Sequence, residues 1–142
     1  MTGIGDWLTG TGDSQGSTPL PYLVYGKESD LTRPSPSALW ITIDEHPDSI
    51  NDGAFAVEMP VGNSRGSATW IDHPAKWHDN GNAFTFADGH AELHHWQQPQ
   101  NIRNPLYSNP YPSDTFIGDP DMFWLAGRTS ALADGLPLPF TY

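Results

Sequence analysis

The sequence predicts a mainly β protein: a β-rich α+β fold in which an antiparallel sheet is connected by long, ordered loops rich in proline and glycine. Fourteen glycines and fourteen prolines among 142 residues favour frequent turns and disfavour long helices. Short runs of β-branched and aromatic residues lie between these turns, as expected of strands. One or two short helices are expected beside the sheet.

The chain is long enough to bury a hydrophobic core, and we expect a single domain over residues 1–142. Residues 1–37 form a turn-rich N-terminal segment, and residues 38–98 hold the sheet. Residues 99–142 form a loop-rich C-terminal segment with a short helix near residues 119–127. Six tryptophans, six phenylalanines and five tyrosines supply large apolar areas for the core.

Three strands are predicted before the central motif. Residues 38–44 are β-branched and aromatic, and they give the clearest strand signal. Residues 54–59 follow the Asn-Asp-Gly turn sequence at residues 51–53, and residues 68–72 form the third strand.

A β-hairpin is predicted around Asp88-Gly89, which suits the two central positions of a type I′ turn, where both residues have positive φ. This two-residue loop would pair residues 82–87 with residues 90–96. Alternate side chains of a strand point to opposite faces, so one face of the hairpin would be apolar. The side chains expected on that apolar face are Phe84, Phe86, Ala91 and Leu93.

A short helix is predicted at residues 119–127 from its terminal residues. Asp119 would be the N-cap, Pro120 would take the first helical position, and Gly127 would end the helix.

The second face of the predicted hairpin carries a His-x-Glu-x-His pattern, formed by His90, Glu92 and His94. Imidazole and carboxylate groups at this spacing would suit a divalent cation, Zn²⁺ or Ca²⁺. The alternative interpretation is the solvated face of an antiparallel hairpin, which needs no cofactor. Further candidate ligands come from the same motif and from neighbouring loops: Asp44, Asp72, His73, His78 and Asp88.

The loop at residues 44–53 concentrates carboxylates directly after the strongest strand. Its oxygens would bind Ca²⁺ in one interpretation and stabilise the loop through backbone hydrogen bonds in the other. Glu45 and Glu92 are the candidate general bases of a hydrolase.

Three tryptophans near the hairpin have two interpretations. Trp70, Trp77 and Trp96 would stack on sugar rings if they were exposed, whereas tryptophans in a small sheet domain more often belong to the core.

The net charge of −11 disfavours nucleic acid and anionic membrane surfaces as partners. No segment is long and apolar enough for a membrane span, so we expect no membrane insertion. The chain has no cysteine, which excludes disulfides and thiol chemistry.

His78, nine intervening residues and then Asp88-Gly89 resemble the H-x9-DG motif of bacterial prepilin-like proteins, where it is called processing-associated. The sequence Phe-x-Phe-Ala-Asp-Gly-His at residues 84–90 and the acidic loop at residues 44–53 resemble the same group. Its members carry a cleavage site and a long hydrophobic helix before a β-rich ectodomain. Residues 1–142 contain neither pattern, so we expect them to correspond to the ectodomain. The resemblance implies a pseudopilin-like ectodomain in the cell envelope or outside the cell, with a secretion-related setting.

Three functions follow from these patterns. The first is an extracellular or envelope-associated β domain with a structural or interaction role, stabilised by a cation in one version, with surface or filament proteins as partners. The second is a small metal-dependent hydrolase acting on glycosides or esters. The third is a module that binds polysaccharide through exposed tryptophans.

Overall fold

The computed structural model describes residues 22–57, 59, 67–107 and 114–138. Two turns of 3₁₀ helix lie at Glu28–Asp30 and Pro99–Asn101. The strands and the α-helix of these ranges are β1 (Trp40–Ile43), β2 (Ser67–Trp70), β3 (Gly81–Phe86), β4 (Ala91–His95), β5 (Asp114–Ile117) and α1 (Pro120–Ala126). The prediction of a mainly β fold is confirmed for the described residues.

The strands form two antiparallel sheets. β3 lies between β1 and β4 in a three-stranded sheet, and β2 pairs with β5 in a separate two-stranded sheet. β5 was not predicted, because four residues with two apolar side chains are too short to give a clear alternation.

The predicted strand at residues 54–59 is wrong for its described part, because residues 54–57 and 59 have no regular structure. The reason lies in a side chain from elsewhere in the chain. The backbone N–H of Ala56 donates to Asp72 Oδ2 at 2.5 Å, so a carboxylate takes the place that a neighbouring strand would fill.

The hairpin is present, but its turn differs from the prediction. Phe86 N–H donates to the His90 carbonyl at 2.9 Å, and Gly89 N–H donates to the Phe86 carbonyl at 2.9 Å. Gly89 alone has a positive φ, of 92°, within a three-residue loop at residues 87–89. Such loops combine a type I turn with a left-handed glycine, and here Asp88 Oδ1 supports the turn by accepting from His90 N–H.

A turn of the predicted type lies at the other end of β3 instead. Asp79 and Asn80 have φ values of 52° and 60°, and His78 and Gly81 exchange both backbone hydrogen bonds around them. Aspartate and asparagine tolerate this left-handed conformation better than other non-glycine residues.

The longer loop at residues 87–89 shifts the register of β4 by one residue and exchanges its two faces. Phe84 lies opposite Glu92, and Asn82 lies opposite His94. Directly opposite residues share a face, so the His-x-Glu-x-His residues lie on the same face as the phenylalanines. The predicted placement of Ala91 and Leu93 on the apolar face is wrong, because both are exposed.

The core is built around aromatic rings from both sheets and from α1. Phe84 makes edge contacts with Trp96 and Trp124, with ring centroids 6.0 and 5.1 Å apart, and Trp70 contacts Trp96 at 6.3 Å. The buried residues of this cluster are Trp40, Trp70, Phe84, Phe86, Trp96, Ile102, Met122, Trp124 and Leu125.

The predicted helix is confirmed as α1. Asp119 is its N-cap and accepts hydrogen bonds from the N–H groups of Asp121 and Met122, Pro120 takes the first helical position, and Gly127 is the C-cap. Among the described residues, no helix has the length and apolar character that a membrane span requires.

Candidate functional site

The side chains of the His-x-Glu-x-His pattern do not converge on a common metal site. Glu92 is exposed, and His90 stacks on Phe86 with parallel rings 4.4 Å apart while its Nδ1 lies 2.5 Å from Asp88 Oδ1. This hydrogen bond lowers the pKa of Asp88. His90 and Asp88 therefore form a local pair at the hairpin turn.

His94 lies among the core rings. Its imidazole stacks on Trp124 with centroids 3.7 Å apart and planes inclined by 15°. The Arg128 guanidinium carbon lies 4.1 Å from the centre of the same indole. Because both groups stack so close to one ring centre, they occupy opposite faces of Trp124, and His94 acts in packing.

Asp121 joins the end of β4 to the first turn of α1. Its two carboxylate oxygens accept from the N–H groups of Gln97 and Gln98 at 2.9 and 2.8 Å, and His94 Nε2 lies 3.8 Å from one of them. The carboxylate is buried, and these charge-assisted hydrogen bonds offset the cost of its burial.

His78, the first residue of the H-x9-DG motif, approaches the end of β1. Its Nε2 lies 3.4 Å from Asp44 Oδ2, and both side chains are about half exposed. This contact links the left-handed turn at residues 79–80 to the end of β1, where the acidic loop begins.

Asn82 connects three backbone segments beneath that contact. Its Oδ1 accepts from Asp44 N–H at 3.0 Å, and its Nδ2 donates to the carbonyls of Asp44 and Ala75 at 2.7 and 3.0 Å. Trp96 Nε1 also donates to the Ala75 carbonyl, at 2.9 Å. Asn82 is fully buried, so these bonds are shielded from water.

A carboxylate cluster lies where the acidic loop meets residues 72–74. Glu45 forms an isolated β-bridge with Pro74, and Asp72 is 5% exposed. Burial, reinforced by the charges of Asp72 and Asp52, raises the pKa of Glu45 to about 7, against an opposing hydrogen bond from Ser49. Burial also raises the pKa of Asp72, with a smaller contribution from Asp52, while the N–H of Ala56 opposes the rise.

Two of the residues that the sequence singled out, Glu45 and Asp72, interact in this cluster, and a third, His73, lies next to Asp72 in the chain. Glu45 is a predicted general base, and Asp72 and His73 are predicted ligands. His73 is completely buried, its N–H donates to Ser49 Oγ at 2.9 Å, and its ring lies 6.2 Å from that of Trp70. A carboxyl group that is half protonated near neutral pH has the acidity that acid–base chemistry uses.

The predicted ligands as a whole are spread over separate places. Four of them make separate local contacts: His78 with Asp44, His90 with Asp88, His94 with Trp124, and Asp72 with Ala56. Within residues 22–57, 59, 67–107 and 114–138, no group of three or more His, Asp or Glu side chains is arranged to hold a metal ion. Binding of Ca²⁺ or Zn²⁺ stays a prediction without a ligand set among these residues.

The three tryptophans of the glycan interpretation differ in exposure. Trp70 and Trp96 are 3% and 4% exposed and belong to the core, whereas Trp77 is 50% exposed. The indole of Trp77 lies nearly parallel to the buried His46 ring, with centroids 6.5 Å apart.

Sequence reasoning missed the roles of Asn82, His46 and Asp121. His46 accepts from Asp48 N–H through Nδ1 and donates to the Arg103 carbonyl through Nε2, at 3.2 Å each, and burial lowers its pKa. The sequence did contain a signal for Asn82. It lies two residues before Phe84 in a strand, so it shares the inner face with Phe84 and Phe86, where a polar residue is unexpected.

No protein-family model matches the sequence, and comparisons with curated proteins and with solved structures give no match either.

Proposed function

We propose that this chain is a pseudopilin-like β domain of the cell envelope or the extracellular space, with a structural or interaction role. One observation carries the proposal: the residues of the H-x9-DG motif serve the hairpin itself. His78 closes the turn before β3, while Asp88 and Gly89 form the turn after it. A motif that forms the turns of a hairpin fits a structural or interaction role better than a catalytic role.

A cation bound to the acidic loop would be compatible with this role, since the net charge is −11. The expected partners are surface or filament proteins.

A small hydrolase acting on glycosides or esters is the second candidate, and one observation favours it. Glu45 has a pKa of about 7 beside Asp72, as a general acid or base would require. Glu92, the other predicted base, is exposed on β4. The scattered predicted ligands give a metal-bound nucleophile no support among the described residues.

Cell fractionation tests the proposal in the organism that produces the protein. With an antibody against the chain, we expect the protein in the envelope fraction or the medium, and we expect external protease to remove it from intact cells. A cytoplasmic enzyme probed on the same blot should stay intact. Recovery of the chain with that enzyme, protected until the cells are lysed, would refute the location and with it the pseudopilin-like role.

A further inference from the structure

Three loops that are joined at the turn of residues 46–49 carry exposed hydrophobic side chains. The side chains are Ile50, Trp77, Leu106 and Tyr107, with 52%, 50%, 74% and 80% of their areas exposed. We call these four residues the Trp77 surface. Large exposed apolar side chains on neighbouring loops are typical of interaction sites when they form one patch.

Hydrogen bonds between the loops hold the Trp77 surface in place. His46 Nε2 donates to the Arg103 carbonyl at 3.2 Å, and Leu106 N–H donates to the buried Asp48 Oδ2 at 2.7 Å. Trp77 lies nearly parallel to the His46 ring on the same turn. A surface that is ordered before binding loses less conformational entropy when a partner docks.

Trp77 exposes about half of its area to solvent. Its indole is nearly parallel to the His46 ring, and their centroids are 6.5 Å apart, so the rings overlap little. The face of an indole attracts lysine and arginine cations, more strongly than the other aromatic rings do.

The charges of the same loops also favour a cationic partner. Asp52 and Asp79 are exposed and lie two residues from Ile50 and Trp77 in the chain, and the exposed Asp44 contacts His78, the neighbour of Trp77. Lys76 directs its amine inward to the carbonyls of Pro99 and Ile102, which leaves Arg103 as the exposed basic residue of these loops. Two copies of a chain with a net charge of −11 would repel each other, so a second copy is a poor occupant.

We propose that the Trp77 surface binds a basic segment of a partner protein. An arginine or lysine of that segment stacks on Trp77, near the carboxylates of Asp44 and Asp79, and an apolar side chain packs against Leu106 and Tyr107. This partner class rests on the interaction role proposed above, but binding by the purified chain does not depend on cellular location. Failure of the fractionation experiment and failure of this one are therefore distinguishable.

Selection of a display library of random peptides on the purified chain tests the proposal. We expect enrichment of sequences that place arginine or lysine beside an apolar residue, with an affinity that falls as the salt concentration rises. Trp77→Ala should weaken the enriched peptides about tenfold. Leu136→Ala, a matched loss of an exposed apolar side chain elsewhere, should leave the affinity unchanged.

Asp79→Asn keeps the test valid if Trp77→Ala disturbs the fold. Asparagine accepts the φ of 52° at this position, so the variant removes one charge and preserves the turn. It should weaken basic peptides about twofold at low salt. Enrichment of peptides without basic residues, or equal enrichment on Trp77→Ala, would overturn the proposal. Saturable binding of a neutral glucose oligosaccharide that Trp77→Ala abolishes, without peptide enrichment, would overturn it in favour of a glycan site.

Discussion

Replacing Asn82 with alanine is expected to lower the free energy of unfolding by about 3 kcal/mol. The variant loses three hydrogen bonds at a fully buried position, and it leaves the N–H of Asp44 without its described acceptor. A loss of this size is a large share of the roughly 5–15 kcal/mol that stabilises a typical domain. Urea denaturation followed by tryptophan fluorescence measures it.

Two further variants sharpen this measurement. Asn104→Ala removes an exposed asparagine and should change the free energy of unfolding by less than about 0.5 kcal/mol. Asn82→Asp keeps an acceptor for Asp44 N–H but turns a carboxylate oxygen towards two carbonyls, so it should also be destabilised, most strongly at neutral pH. A loss below about 1 kcal/mol in Asn82→Ala would show that Asn82 does not hold these segments together.

Glu45→Gln is expected to stabilise the protein at pH 8 by about 1–2 kcal/mol, and to have little effect near pH 4.5. The folded protein keeps the Glu45 proton up to a pKa of about 7, whereas the unfolded chain releases it near the ordinary value of 4.5. The folded state therefore binds more protons between these values, and the free energy of unfolding falls as the pH rises through this window. Glutamine stays neutral over this pH range, so the variant avoids this fall in the free energy of unfolding.

Thermal or urea denaturation of the wild type and the variant at both pH values measures this difference. Glu92→Gln is the matched control, because Glu92 is exposed on β4 and its substitution should give no comparable gain at pH 8. An equal effect of Glu45→Gln at pH 4.5 and pH 8 would contradict the raised pKa of Glu45.

Local chemistry predicted the elements that have strong local signals. β1 follows from its β-branched and aromatic residues, and both arms of the hairpin follow from near-alternating apolar residues. The helix α1 follows from Asp119, Pro120 and Gly127. Asp-Gly suits more than one turn type, so the choice between a two-residue and a three-residue loop was not decided locally. That single residue moved His94 from the solvent face to the core.

The candidate site depended on contacts that are distant in the sequence. Asn82 bonds to Asp44, which lies 38 positions away, and Asp121 bonds to Gln97, 24 positions away. Trp70, Trp77 and Trp96 each lie within three residues of a histidine, and no local pattern distinguishes the two that the packing buries from the one that it exposes. Side-chain pairing across such distances is a property of the folded chain and not of any local pattern.

Proton–proton contacts in the nuclear magnetic resonance spectrum test the register of β4 most directly. With the three-residue loop, the His94 ring protons should show strong contacts to the indole of Trp124, and the Leu93 methyl groups should show none to Phe84 or Trp124. Strong contacts from Leu93 to those rings, with a solvent-exposed His94 ring, would restore the two-residue turn and contradict the structural role assigned to the motif.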